Sequence, residues 1–194
     1  MDSLETFLIT SFQDVRSSRR TDRLHRALLE KVLDNKPEWR DYNWRFEYTL
    51  LEDGFGGTFS IDIAAFEQEE LKVCILAKAI NSSVNKNIKN FANTTIGESA
   101  RIMHAPNGTQ LEKVLFISIH PRKAPRFNSS GDVVGIDNVL SAKSRTKLNN
   151  VLLAQYDGIV EANDVYYDIA GIREKTNRSE FSTITIENLD ELDI

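Results

Sequence analysis

Cysteine is almost absent: Cys74 is the single one in 194 residues. That excludes a disulfide-stapled scaffold and a multi-cysteine zinc site. No stretch approaches eighteen uninterrupted apolar residues, so the sequence offers no membrane-spanning helix. Glycine (9) and proline (4) are sparse, which excludes collagen-like and Gly/Pro-rich low-complexity chains. There is no glycine-rich phosphate loop, since "GFGG" at 54–57 reads as the tip of a hairpin. Three histidines, His25, His104 and His120, are scattered without metal-ligand spacing. No internal repeat or convincing domain boundary is visible. What is present, 41% hydrophobic and 27% charged residues, suits a single globular domain over 1–194 with one core. The lone thiol and the lack of a leader-like start lead us to expect a cytoplasmic protein.

A net charge of −5 argues weakly against a nucleic-acid partner, but the charges are segregated. Lys72 to Arg126 holds nine basic residues against only Glu98 and Glu112, so this middle is +7 and the remainder −12. A second basic run, "RSSRRTDRLHR", covers Arg16 to Arg26, and the end, "ENLDELDI", is acidic. Local basic clusters on an acidic chain are a footprint of phosphate binding; solvated faces are the plainer alternative.

Hydrophobic periodicity places a helix over Leu4–Val15 and a second from Thr21 or Asp22 to about Leu33, stopped by Pro37. Three alternating strands follow, Trp44–Leu51, Thr58–Phe66 and Lys72–Ile80. A long helix runs from Ser82 or Ser83 to Met103, its buried stripe Val84, Ile88, Phe91, Thr95, Ser99 and Ile102. "KVLFISIH" (113–120) reads as a buried strand and "PRKAPRF" as a basic loop. A helix is expected over Asn138–Tyr156, then strands at "DVYYDIAGI" and "FSTITI". This order predicts an α/β sandwich: three-layer-like, with a mixed sheet made of an antiparallel meander and a parallel crossover strand between helices. The core falls at about 21–120 and a C-terminal part at 121–194.

Two charges interrupt the apolar strands, Asp62 in "TFSIDIAAF" and Lys78 in "KVCILAKAI". A charge in a buried strand costs several kcal/mol unless something pairs with it. If Leu51 faces Thr58, Asp62 stands opposite Glu47. If Phe66 faces Lys72, Asp62 stands opposite Leu76 and Lys78 opposite Ser60. Alternation then puts Arg45, Glu47, Ser60, Asp62, Leu76 and Lys78 on one face, and Phe46, Tyr48, Ile61, Ile63, Val73 and Ile75 on the other. Neighbouring strands are about 4.8 Å apart, so the charged side chains can converge. Two close carboxylates repel unless a cation sits between them, and oxygen ligands on strands suit Mg²⁺ or Mn²⁺. A plain Asp62–Lys78 ion pair is the structural alternative.

An aspartate in the second strand of a meander and x-x-Lys in the third, with helices before and after, resembles the PD-(D/E)XK, or restriction-endonuclease-like, nucleases. The matching residues are "SID" (60–62) and "LAK" (76–78), in a span from Thr21 to His120. The resemblance implies a metal-dependent nuclease that hydrolyses DNA phosphodiesters, with Mg²⁺ or Mn²⁺ on Asp62, Lys78 as catalytic lysine and possible homodimerisation. Two positions depart: Leu76 stands where the second acid belongs, and Ile61 replaces the family's proline before the aspartate, a proline often missing there. Glu47 is the best-placed substitute acid by register, as both metal and catalytic residue. Glu30, on the preceding helix, is a second candidate ligand. Glu98 lies about 24 Å along the following helix and is expected to be out of reach. Asn85, Lys86, Lys89, Arg122, Lys123 and Arg126 are the candidate nucleic-acid contacts. Leu76 also supports an alternative: a nuclease fold without catalysis, serving as a nucleic-acid-binding or protein-interaction module.

Overall fold

The computed structural model describes residues 3–13, 19–81, 84–106, 108–139, 143–187 and 192. Its centre is a six-stranded mixed sheet with helices on both faces, a three-layer α/β sandwich. The elements in chain order are α1 (Leu4–Gln13), α2 (Arg19–Asn35), β1 (Asn43–Leu50), β2 (Phe59–Glu67), β3 (Glu70–Ala79), α3 (Val84–Met103), β4 (Lys113–Pro121), β5 (Lys123–Phe127), β6 (Val133–Asn138), α4 (Lys143–Gln155), β7 (Val160–Ile169) and β8 (Ile184–Ile186). The sheet order is β1-β2-β3-β4-β7-β8. The β1–β2–β3 meander is antiparallel, β3–β4 and β4–β7 are parallel, and β8 closes antiparallel on β7. Helix α3 is the crossover that makes β4 parallel to β3.

The two cores follow from pattern. On one face α1 and α2 pack Leu8, Leu28 and Val32 against Ile63, Ile75, Ile117 and Tyr167. On the other, α3 and α4 pack Phe91, Ile102 and Leu152 against Ile61, Leu76, Phe116 and Val160. Each such aliphatic side chain contributes about 1.5–3 kcal/mol on burial. The stripe expected on α3 is buried at Val84, Phe91, Thr95, Ser99 and Ile102. Thr95 and Ser99 are tolerated there because their hydroxyls donate to the carbonyls of Phe91 and Thr95, one turn back.

"PRKAPRF" is not a loop. It forms β5, which pairs antiparallel with β6 in a two-stranded ribbon outside the main sheet. A ribbon strand has a free edge, so Pro125 costs no ladder bond there. Asn138, expected to open a helix, ends β6 instead, and α4 begins at Lys143.

Strand register matters most for the charges. Tyr48 pairs with Ile61 and Thr49 with Ser60, the expected β1–β2 register. Ile63 pairs with Ile75, also as expected, but a bulge between Ala65 and Phe66 sets Phe66 against Leu71 rather than Lys72. The expected face assignment fails. Phe46 and Ile63 point to the α1/α2 face, whereas Tyr48 and Ile61, two residues away, point to the α3/α4 face. The pleat changes phase at Glu47 and Asp62. Glu47 has φ 51°, a left-handed conformation that breaks alternation, and the β2–β3 ladder does not extend past Ile63–Ile75 toward Asp62.

Candidate metal centre at the phase break

Where the β2–β3 ladder stops, the Asp62 carboxylate takes over from the backbone. Its Oδ2 accepts a 2.7 Å hydrogen bond from the Ala77 N–H. That amide would otherwise need a partner across the gap. The side chain of Asp62 is 27% exposed, and burial is the main reason its carboxyl is held above the ordinary aspartate range. The Ala77 N–H hydrogen bond, and then the electrostatic influence of His25 and Lys78, pull the other way.

Helix α2 supplies the residue that spacing missed. His25 is fully buried, 0% exposed. Its Nδ1 lies 3.1 Å from Glu47 Oε1, and its Nε2 lies 3.9 Å from Asp62 Oδ2. Neither approach has the geometry of a hydrogen bond, so both ring nitrogens lack a hydrogen-bond partner among the described residues. A buried, unsatisfied imidazole is costly and calls for an explanation. One ligand atom from each of His25, Glu47 and Asp62 falls within a 4.8 Å set, an arrangement that could hold a metal ion. The fit rests on the orphaned imidazole and on donor chemistry, one nitrogen and two carboxylates. The histidines therefore do matter, through the fold rather than through spacing. The sequence carried a signal: His25 precedes Leu28, Leu29 and Val32 on the buried stripe of an amphipathic helix, where a polar residue is out of place.

Glu47 half-opens the site to solvent, its side chain 50% exposed. Its left-handed backbone aims the carboxylate at His25. Glu30 does not join them. Five residues beyond His25 on α2, it is turned about 140° around the helix. Its carboxylate lies 3.9 Å from Arg40 and lines a cavity of about 810 Å³ between α1, α2 and β8, which none of His25, Glu47 and Asp62 lines. Leu76, at the place of the second acid, is buried in the α3/α4 core.

Lys78 extends from the exposed end of β3, its Nζ 5.9 Å from the centre of the Phe91 ring. Its charge acts on Asp62 and also on Glu98. Glu98 is not among the residues whose ligand atoms converge, in keeping with the expectation that it is no ligand, although its carboxyl responds to the Asp62 charge. Distance along α3 is not distance from β2, because α3 crosses the sheet toward the β1–β2 turn. Its last turn holds that turn through Arg101, whose Nη1 donates to Asp53 Oδ2 at 2.8 Å. Glu98 is carried back toward Asp62, and its carboxyl is raised first by burial and then by the Asp62 charge, while Lys78 and Arg101 lower it.

The expected nucleic-acid contacts are dispersed. Asn85 donates to the Asn138 carbonyl. The side chains of Lys86 and Lys89 lie outside the described residues. Arg122 pairs with Glu187 at 2.7 Å and stacks on Tyr166, and Arg126 lies 3.3 Å from Asp137. Lys123 is exposed on the β5–β6 ribbon. Elsewhere on the α3/α4 side, Ser118 donates to Asp164, with His120 buried against Tyr166. Cys74 is fully buried, and burial pushes its thiol well up, which makes it inert.

No family model matches this chain, and no curated protein does. A solved structure titled "Crystal Structure of Protein of Unknown Function AF1548" aligns at a TM-score of 0.36 and 11% identity. The alignment covers 71% of this chain and 56% of that one, so this chain spans little more than half of that protein's length.

Proposed function

We propose that the protein is a metal-dependent nuclease that hydrolyses DNA phosphodiester bonds. The observation that carries the reading is the convergence of a buried, hydrogen-bond-free imidazole with two carboxylates, beside the end of β3 that bears Lys78. Leu76 removes an acid from β3, but His25 and Glu47 supply donors from α2 and β1 in its stead. That supports catalysis over the reading of an inert nuclease fold.

His25, Glu47 and Asp62 would hold the ion. A divalent metal there supplies an activated water and neutralises charge on the phosphate. An all-oxygen set suits Mg²⁺ best; the imidazole nitrogen tilts this set toward Mn²⁺, with Mg²⁺ second. The Lys78 ammonium, solvent-facing and a donor only, orients the attacking water and stabilises negative charge developing on the phosphoryl oxygens. Glu98, with its raised carboxyl near Asp62 and Lys78, is the acid placed to adjust that charge balance.

The test is cleavage of supercoiled plasmid and of end-labelled oligonucleotides in Mn²⁺ and in Mg²⁺. The wild type should cleave, Asp62→Ala and Lys78→Ala should not, and EDTA should stop the reaction. Metal-independent cleavage, or full activity in Lys78→Ala, would refute the assignment. Salt-sensitive DNA binding with no cleavage in any divalent ion would select the inactive binding module instead.

A further inference from the structure

The β1–β2 turn, residues 51–58, is built more firmly than a connection requires. Asp53 has no exposed side-chain surface despite lying in this turn. Its Oδ1 accepts from the N–H groups of Phe55 (2.8 Å) and Gly57 (3.0 Å), and its Oδ2 accepts from Arg101 (2.8 Å). The Gly54 N–H donates to the Arg101 carbonyl at 2.8 Å. A Cβ on Gly54 would stand 2.7 Å from His104 Cβ and 2.9 Å from the Ala100 carbonyl oxygen, so only glycine lets the turn seat on α3.

That rigid seat holds large apolar groups out in water. Leu51 is 80% exposed and Phe55 67%. Ile96, also exposed, lies one helical turn before the Ala100 on which Gly54 rests, so it shares that face of α3. Three of the five large hydrophobics exposed among the described residues thus gather at one corner. The Arg101 guanidinium lies 5.6 Å from the Phe55 ring centre.

The corner adjoins the proposed active site. Antiparallel pairing of β2 with β3 puts the start of β2 at the end of β3 that carries Lys78. Phe59, where β2 begins, is three residues or about 10 Å from Asp62. Arg101 acts electrostatically on Glu98, which in turn feels Asp62 and Lys78. The exposed Phe55 ring matches a nucleobase, and the solvent-facing part of the Arg101 guanidinium, which lies over that ring while paired with Asp53, matches the phosphate joined to it.

We propose that the β1–β2 turn is a stacking wedge, on which Phe55 holds an unpaired base of the nucleic acid beside the metal centre. The inference rests on the nuclease reading and narrows it: the substrate carries a single-stranded or frayed segment at the cleavage point. The turn's rigidity is what makes stacking effective, because little ordering cost is left to binding.

The experiment compares a duplex carrying a short single-stranded tail with 2-aminopurine against the same duplex with blunt ends, in EDTA so that nothing is cut. Wild type is expected to quench the 2-aminopurine and to bind the tailed duplex more tightly than the blunt one. Phe55→Ala should lose the quenching and weaken tailed binding roughly tenfold, leaving blunt binding unchanged, while Phe55→Trp restores both. Since Phe55 is exposed, an unchanged thermal midpoint certifies that the variant is folded; Leu51→Ser is a second probe with a smaller loss. Equal quenching by wild type and Phe55→Ala, or none by either, overturns the wedge. So does Phe55-dependent sedimentation with phosphatidylserine/phosphatidylcholine vesicles, which would make the corner a membrane contact. A parallel Mn²⁺ cleavage arm separates the two claims. Phe55-dependent quenching without cleavage upholds the wedge and sinks the nuclease reading, whereas cleavage without it does the reverse.

Discussion

Replacing Asp62 by asparagine separates the fold's interest from the site's. The Ala77 N–H keeps an acceptor, because an asparagine oxygen can replace Oδ2 in that 2.7 Å bond. What disappears is a negative charge that burial disfavours, as the raised carboxyl indicates. Metal-free Asp62→Asn should therefore unfold at the same temperature as wild type or higher at pH 7. The sign follows from linkage. A carboxyl raised in the folded state costs stability once pH exceeds its unfolded value, and asparagine escapes that cost. With metal the order inverts. A ligand at a hundred times its Kd stabilises by about 2.7 kcal/mol. At roughly 2–4 °C per kcal/mol for a chain of this size, Mn²⁺ should raise the wild-type midpoint by about 5–11 °C. If losing one of two charged ligands weakens binding about a hundredfold, the same Mn²⁺ concentration leaves about 0.4 kcal/mol, a rise of only 1–2 °C. Thermal denaturation followed by circular dichroism, with and without Mn²⁺, reads both halves. A full Mn²⁺ shift in Asp62→Asn, or no shift in wild type with Mn²⁺, Mg²⁺ or Zn²⁺, would refute the metal centre itself, whatever the protein's activity.

Lys78→Ala should keep the Mn²⁺-induced shift and lose about a hundredfold or more in cleavage rate, measured in single-turnover assays, since the proposed mechanism has it act on water and phosphate rather than on the ion. Glu47→Asn should retain the fold, because asparagine accepts the left-handed backbone at φ 51°, yet lose most of the shift; an undiminished shift would remove Glu47 from the ligand set. Glu30→Gln should change neither cleavage nor the shift, and stability by less than about 1 kcal/mol in urea titration, as its partner Arg40 forms only an exposed pair. Asp53 is held below its ordinary value of 3.8, first by the Gly57 N–H. Its contribution is complete above that value and is lost as pH falls through the depressed one, so urea midpoints should fall less between pH 5 and pH 3 in Asp53→Asn than in wild type.

The layers were legible because each element carried its own periodicity. The α3 stripe, the meander and the parallel β4 follow from apolar spacing and from the length of one crossover. Even the β1–β2 register could be placed from turn length, and Tyr48 does face Ile61. The β5–β6 ribbon was missed because its basic and proline residues read as loop, while the pairing that makes it a ribbon is a tertiary fact. His25 was missed for the same kind of reason. Its two carboxylate neighbours lie 22 and 37 positions away in the chain, and no local spacing links a helix to the strand that crosses it.

The deepest error is also the most informative. Strict alternation would have sent Asp62 and Lys78 to one face and left the site there. Instead the sheet changes phase at Glu47 and Asp62, and the carboxylate of Asp62 fills a gap in the ladder by accepting a backbone N–H. A non-glycine residue held left-handed costs on the order of 1 kcal/mol, and such strain concentrates where function needs an unusual direction. A regular sheet must choose which layer each side chain addresses. An opening in it lets one carboxylate lie against His25 of α2 on one side while feeling Lys78 and Glu98, below α3, on the other. In the proposed reading, metal-binding side chains from one layer and the Lys78 ammonium from the other would meet only at such a break. The irregularity that defeats pattern reading is thus what allows a site to form in a sheet otherwise sealed by two hydrophobic cores.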